Sequence, residues 1–272
     1  MQTSTVRPAT QEDLPAIIQL TRENRSLLER LEPTFWRASA NADEAHAAFM
    51  EYVVATPEFT TRLLDKDGPI GFSVCSKHPT GWWFVDDVCL SADADWSTDG
   101  LTLLNATVER PAVMTAPHKD EARVHAAEQA GLALVSTFRS IRFDQKLSFD
   151  LFDGQVELRK PSHTLCSPPL HVFGPAMTSE SISVIADGLD GYVVLSPAIA
   201  VPPIYDVGGK VSIIDRVVAD DRVNALKKAL GFAVQRDDIG VILIVAAEDQ
   251  ELASIADDIG AGHPVDVFKW PE

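Results

Sequence analysis

Asp87-Val88-Cys89-Leu90-Ser91-Ala92-Asp93 closes a strand-like run, and the polar stretch after it reaches Gly100 before Leu101, Leu104 and Val108 mark an apolar helix face. Trp82 to Leu90 reads as the strand itself. Ala112-Val113-Met114-Thr115 is a further strand, His118 to Ala130 an alanine-rich helix with Gly131 as its C-cap, and Leu132 to Phe143 a longer strand. The same series recurs. Asp215-Arg216-Val217-Val218-Ala219-Asp220 closes a strand, and Val223, Leu226, Leu230 and Ala233 line a helix face. Val241 to Ala246 is a buried strand, and Leu252, Ile255, Ala256 and Ile259 line another helix. The two copies match in spacing as well as order: 44 positions separate Asp87 from Gly131, and 45 separate Asp215 from Gly260.

Upstream, Thr5-Val6-Arg7-Pro8 is a short extended piece. Thr10 and Asp13 form a capping box with Asp in place of Glu, and Leu14, Ile17, Ile18, Leu27, Leu28 and Leu31 carry a helical stripe that Pro33 ends. Asn41 to Val54 reads as a second helix. Phe59 to Leu64 and Ile70 to Cys75 are strands around the Asp67-Gly68 hairpin signal. Ser179 to Leu189 is expected as a helix, and Gly191 to Leu195 and Lys210 to Asp215 as strands. Between the copies, Lys160-Pro161, Ser167-Pro168-Pro169 and Gly174-Pro175 mark a linker. The expected division is therefore 1–147, a linker over 148–175, and a smaller domain over 176–272.

Composition narrows the function. The chain has 272 residues, 46% of them hydrophobic, with a mean hydropathy of +0.02, enough for real cores. Its formal net charge of −17 excludes the basic face that nucleic acid demands and repels anionic membranes. No apolar run nears the roughly 20 residues of a membrane-spanning helix, and the first residues carry no apolar signal core, so a cytoplasmic location is expected. Cys75, Cys89 and Cys166 are too few and too scattered for a disulfide framework, and no ligand spacing points to a metal. Nucleophile-elbow, P-loop and zincin motifs are absent.

Residues 1–145 resemble the GNAT acetyltransferase superfamily. Val6 to Leu14 is similar to its opening strand and first helix, Gly68-Pro69-Ile70-Gly71-Phe72 to its central hairpin, and Ala112 to Leu132 to its fifth strand and fourth helix. Residues 176–272 resemble the same core without room for the first two helices. The resemblance implies an α/β (α+β) protein of tandem GNAT-like domains, each a mixed, mostly antiparallel twisted sheet flanked by helices. It implies acetyl-CoA as co-substrate, with pantetheine between the fourth and fifth strands and pyrophosphate on loop amides at a helix start. The loop here reads Ser97-Thr98-Asp99-Gly100-Leu101-Thr102. It keeps the central glycine, but Ser97 stands for the family's Arg or Gln and Thr102 for its last small residue. Cys89, Leu90, this loop and, at the start of the fourth helix, Asp120 (or His118 if the register shifts) are the residues the resemblance assigns to acyl-CoA.

A base must deprotonate the acceptor amine, and the resemblance puts it on the fourth strand, where Asp86 and Asp87 stand on opposite faces by alternation. Ala127 occupies the position of the family's acidic tyrosine. The acceptor pocket implied by the resemblance draws on Glu32, Phe35 and Trp36 from the turn after the first helix and on Trp83 from the adjoining strand; acids beside aromatics suit a cation. The leading expectation is an acetyl-CoA-dependent N-acyltransferase acting on a small amine, with a homodimer left open. The alternative is a catalytically silent tandem GNAT-like ligand-binding or scaffold protein.

Overall fold

A computed structural model describes residues 4–77, 82–107, 111–160, 183–197, 204–206 and 208–270. Cys166, Val108, Pro202-Pro203 and the linker prolines from Pro161 to Pro175 lie outside them. In chain order the elements are β1 (Thr5–Pro8), α1 (Leu14–Leu31), α2 (Ala42–Ala55), β2 (Phe59–Asp65), β3 (Pro69–Lys77), β4 (Trp83–Leu90), α3 (Leu101–Thr107), β5 (Ala112–Pro117) and α4 (Glu121–Gln129). They continue with β6 (Ala133–Arg142), β7 (Leu158–Arg159), β8 (Ser183–Asp187), β9 (Gly191–Pro197), β10 (Val211–Val218), α5 (Arg222–Gln235), β11 (Gly240–Ala246), α6 (Gln250–Asp258) and β12 (Gly262–Lys269).

The chain forms two compact units that are not continuous halves. The first comprises Met1–Val135, Pro202–Asp206 and Val265–Glu272; the second comprises Ser136–Val201 and Val207–Pro264. This differs from the expected boundaries, and the reason is topological. In the first unit β1 to β4 form an antiparallel meander, β5 runs parallel to β4, and β5 then takes β12 as its antiparallel neighbour. In the second, β7 to β10 form the meander, β11 runs parallel to β10, and β11 takes β6 antiparallel. Each half of the sequence thus gives its last strand to the other half's sheet.

In the first unit the sheet carries a core on each face. Ile17, Leu20, Met50, Val53, Leu63 and Phe72 join α1 and α2 to one face; Val85, Val88, Leu103, Leu104, Ala127 and Phe268 join α3 and α4 to the other. The predicted capping box is present, and Arg7 grips Asp13 with both terminal nitrogens while its Nε reaches Asp65, tying β1 and β2 to the start of α1. Asp67 and Gly68 both take positive φ in the hairpin.

In the second unit one core gathers Ile185, Leu195, Leu226, Leu230, Leu243 and Leu252. Gly131 and Gly260 end α4 and α6 at φ +84 and +79, the left-handed cap that a Cβ disfavours, so the paired glycines of the repeat have one physical cause. Of the helix expected over Ser179–Leu189, residues 179–182 lie outside the described residues, and the rest is not helical: Ser183–Asp187 is β8, paired to β9 across a turn at Gly188. Its Val184 and Ile185 are β-branched and buried, and the burial of both sheet faces hid the period-2 signal.

Candidate functional site

β4 pairs with β5 only at Trp83–Ala112, Phe84–Val113 and Val85–Met114; beyond that the ladder stops and the strands part. The register with β3 shifts at the same place, since Val74 faces Asp87 while Cys75 faces Val85. Asp86 is therefore the extra residue of a β-bulge, which overrides the strict alternation expected for the two acids. Asp86 keeps solvent access along its strand, yet surrounding protein and the neighbouring charge of Asp87 push its carboxyl up to about 6, against the pull of a hydrogen bond from Ser76. The sign follows. A carboxyl whose folded pKa is raised favours the fold below its ordinary value of about 3.9 and loses that contribution as pH rises through about 6. Asp86→Asn is expected to flatten the fall in thermal midpoint across that window, and midpoints of both proteins over the pH series check it.

Asp87 leads inward. Its Oδ2 lies 3.5 Å from His46 Nε2 and its Oδ1 accepts from Cys89 Sγ at 3.4 Å. His46 Nδ1 lies 2.7 Å from an Arg25 nitrogen, and Arg25 also donates to Asp43, which Arg22 pairs from outside at 3.0 Å. Arginine can only donate, so His46 Nδ1 is the acceptor and the ring proton is assigned to Nε2, facing Asp87. Burial first, then the Asp87 charge, raise the Cys89 thiol well above its ordinary value, which makes it a hydrogen-bond donor and no nucleophile. These partners were not among the expected site residues. Their signal was present: Arg25 falls in the stripe of Ile17, Thr21 and Leu28, and His46 in that of Ala42, Met50 and Val53, each a polar residue on a buried helix face.

Tyr205 had no such signal. The Ile204–Asp206 segment bridges to Ala38, receives the Ser39 amide on the Ile204 carbonyl, and stacks Tyr205 edge-on against Trp36 at 5.1 Å. Burial, then Asp87, hold the Tyr205 phenol above its ordinary value. Of the expected acceptor residues, Phe35 and Trp36 are thus gathered here. Glu32 is taken by Lys119 at 2.7 Å, and Trp83 packs in the core on the α3–α4 face.

The loop before α3 does not have the geometry of a phosphate cradle. Trp96–Gly100 winds into a π-helical turn capped by Asp95. Asp95 Oδ1 accepts from the Ser97 amide at 2.8 Å and the Ser97 hydroxyl at 2.9 Å, and the Asp95 carbonyl takes the amides of Thr98, Asp99 and Gly100. The Leu101 amide returns to Thr98 and Trp96, and the Thr102 hydroxyl to Thr98. The amides a pyrophosphate needs are already satisfied. Asp99 points into the fold. Burial works to raise its carboxyl, but Ser4, the Asp95 amide and Lys66 outweigh that and lower it. Gly100 is required for a different reason from the one expected: a Cβ there would stand 2.5 Å from the Trp96 ring. Gly100→Ala is expected to cost about 1 kcal/mol, because the ring can shift, and a urea titration checks it.

Trp96 in turn lies under Arg123, whose guanidinium carbon is 4.9 Å from the ring centre. Arg123 is buried on α4. It donates to Asn24 Oδ1 at 2.7 Å and sits 3.0 Å from Asp120 as an ion pair that is not aligned as a hydrogen bond. Asp120 therefore caps α4 and holds Arg123. Leu90 packs against Gly71 in the β3–β4 ladder. Of the residues that the resemblance assigns to acyl-CoA, those of the Ser97–Thr102 turn are bonded within the turn, Cys89 donates to Asp87, and Asp120 holds Arg123.

No protein-family model matches the sequence, and no curated protein matches it. Solved structures do. A GCN5-related N-acetyltransferase from Sphaerobacter thermophilus matches at TM-score 0.55 and 14% identity over 98% of this chain and 95% of its own. An acetyltransferase from Thermoplasma acidophilum, described as putative, matches at 0.53 and 12% over 98% and 100%. A glucosamine N-acetyltransferase region of a fungal multi-domain β-N-acetylglucosaminidase matches at 0.56 and 10%, over 99% of this chain and 38% of that one. The chain has the GNAT fold. The meander, the parallel pair and the antiparallel closing strand occur in both units, so the GNAT fold is carried in tandem. Among the described residues no helix is long and apolar enough to cross a membrane.

Proposed function

We propose that this protein is a tandem GNAT-fold ligand-binding protein whose first unit has given up acyl-CoA. The observation that carries this reading is the closed set of hydrogen bonds at Ser97–Gly100, whose amides all end on Asp95. An anion binds a helix start through orphan amides, and a carboxylate residing there both occupies and repels it. The stack of buried Arg123 on half-buried Trp96 supports the same reading, since it adds bulk beside the loop. In the second unit, Asp221 caps α5 by accepting from Asn224, and Ala219 to Arg222 runs almost directly into helix, with no glycine to let a phosphate approach.

A second reading, an acetyl-CoA-dependent N-acyltransferase acting on a small amine, has one observation in its favour. β4 and β5 part beside Asp86, whose carboxyl near 6 is suited to accept a proton. Thiol release decides between the two. Full-length protein is mixed with acetyl-CoA and a panel of small amines, and free thiol is followed by a colorimetric reagent. Release at the uncatalysed rate is expected for every amine. Amine-dependent release above that rate that Asp86→Asn abolishes would restore the transferase.

A further inference from the structure

A cleft of about 260 Å³ opens between α1 and the turn into α2, lined by Arg25, Ser26, Glu29, Ala38, Ser39, Ala40, Ala42 and Asp43. Its space is several times the share of one water in the liquid, about 30 Å³. The three alanines keep it open; the charges give it character. Asp43 is neutralised by Arg22 and Arg25. Glu29, half-buried at the wall, has no ion-pair or hydrogen-bond partner among the described residues. Arg25, 6% exposed at its side chain, lines the cleft and has five N–H donors, of which it directs one to His46 and one to Asp43.

Arg25 and Glu29 are one helical turn apart on α1, at a spacing that normally lets opposite charges meet. They do not meet here. Asp43 and His46 hold the guanidinium toward α2, so the cation and the carboxylate stand on one cleft wall as separate poles. With Arg22 on the outer side of Asp43, two arginines stand against two carboxylates and the charges balance, which disfavours a dianion or a polyamine and suits a molecule with one charge of each sign.

We infer that this cleft binds a small zwitterion of the α-amino-acid class, its carboxylate on Arg25 and its ammonium on Glu29. Hydrogen bonds of about 2.9 Å at each end plus the short span of an α-amino acid bridge poles one helical turn apart. Ser39, whose backbone amide also donates to the Ile204 carbonyl of the Tyr205 segment, stands at the wall, so the ligand sits beside that segment. The inference rests on the ligand-binding reading of the first unit.

Calorimetry on the full-length protein, without acyl-CoA, tests it with the standard L-amino acids as probes. At least one is expected to bind with submillimolar Kd, and its des-amino and decarboxylated analogues about tenfold or more weaker. Two variants keep the fold out of the answer. Glu29→Gln, at a half-exposed wall, is expected to weaken binding about tenfold, and Ala40→Trp, at an exposed position, to abolish it by filling the cleft, both at unchanged melting temperature. No binding at millimolar amino acid, or binding equal in the variants and the analogues, overturns the inference. Its failure leaves the thiol-release result untouched, so the two readings fail separately.

Discussion

Arg123→Ala lowers the free energy of unfolding by roughly 3–5 kcal/mol, the cost of leaving the partners of a buried ion pair unpaired. Arg123 and Asp120 are both at least nine-tenths buried, and Asn24, also buried, loses its donor in the variant. The Trp96 ring loses the cation stacked on it, worth up to about 2 kcal/mol when desolvated. Asn24→Ala removes only one charge-assisted bond and is expected to cost less, about 1.5–3 kcal/mol. Urea titrations read both as a lower midpoint at constant slope. An Arg123→Ala variant as stable as the parent would show that the guanidinium does not lock the α1, α3 and α4 ends of the first unit.

The second large effect sits in the second unit and runs against helix propensity. Gly231 lies inside α5, where alanine ordinarily stabilises by about 1 kcal/mol. A Cβ at Gly231 would stand 2.1 Å from the carbonyl oxygen of Phe152, and that neighbour is backbone, which has no rotamer to turn away. Phe149, Leu151 and Val156 flank this contact and pack on the α5–α6 core, so yielding would lift an apolar strap from it. Gly231→Ala is expected to lower stability by roughly 1–3 kcal/mol despite the propensity gain. A control on the same helix gives the comparison: Asn224→Ala, whose backbone amide keeps its Asp221 cap and which loses only a long 3.3 Å side-chain bond to Asp187, is expected to change stability by less than half as much. A variant of Gly231 at parental stability or above would show that the strap does not bear on α5.

Much of the fold was legible because the chain punctuates it. Asp67-Gly68 supplied the positive φ of the hairpin, and Gly131 and Gly260 marked the same helix end in both copies. The loop's departures from the family pattern at Ser97 and Thr102 were also legible, though their consequence was not: only the folded turn shows Asp95 placing its carbonyl and carboxylate on the amides. The exchange of β6 and β12 left no local trace, because a strand's pattern records which faces are buried and not which neighbour it takes. Tyr205 was illegible for the same reason; its place beside Trp36 is set by contacts far away in sequence. Arg25 and His46 stood at core positions of two helix stripes, and their polarity there was the unread signal.

The most direct measurement is a calorimetric titration of acetyl-CoA into the full-length protein. No binding heat is expected up to millimolar ligand, because Asp95 already holds the amides from Ser97 to Gly100. Binding in the micromolar range would contradict the loss of acyl-CoA, and would mean that this turn opens to receive a pyrophosphate.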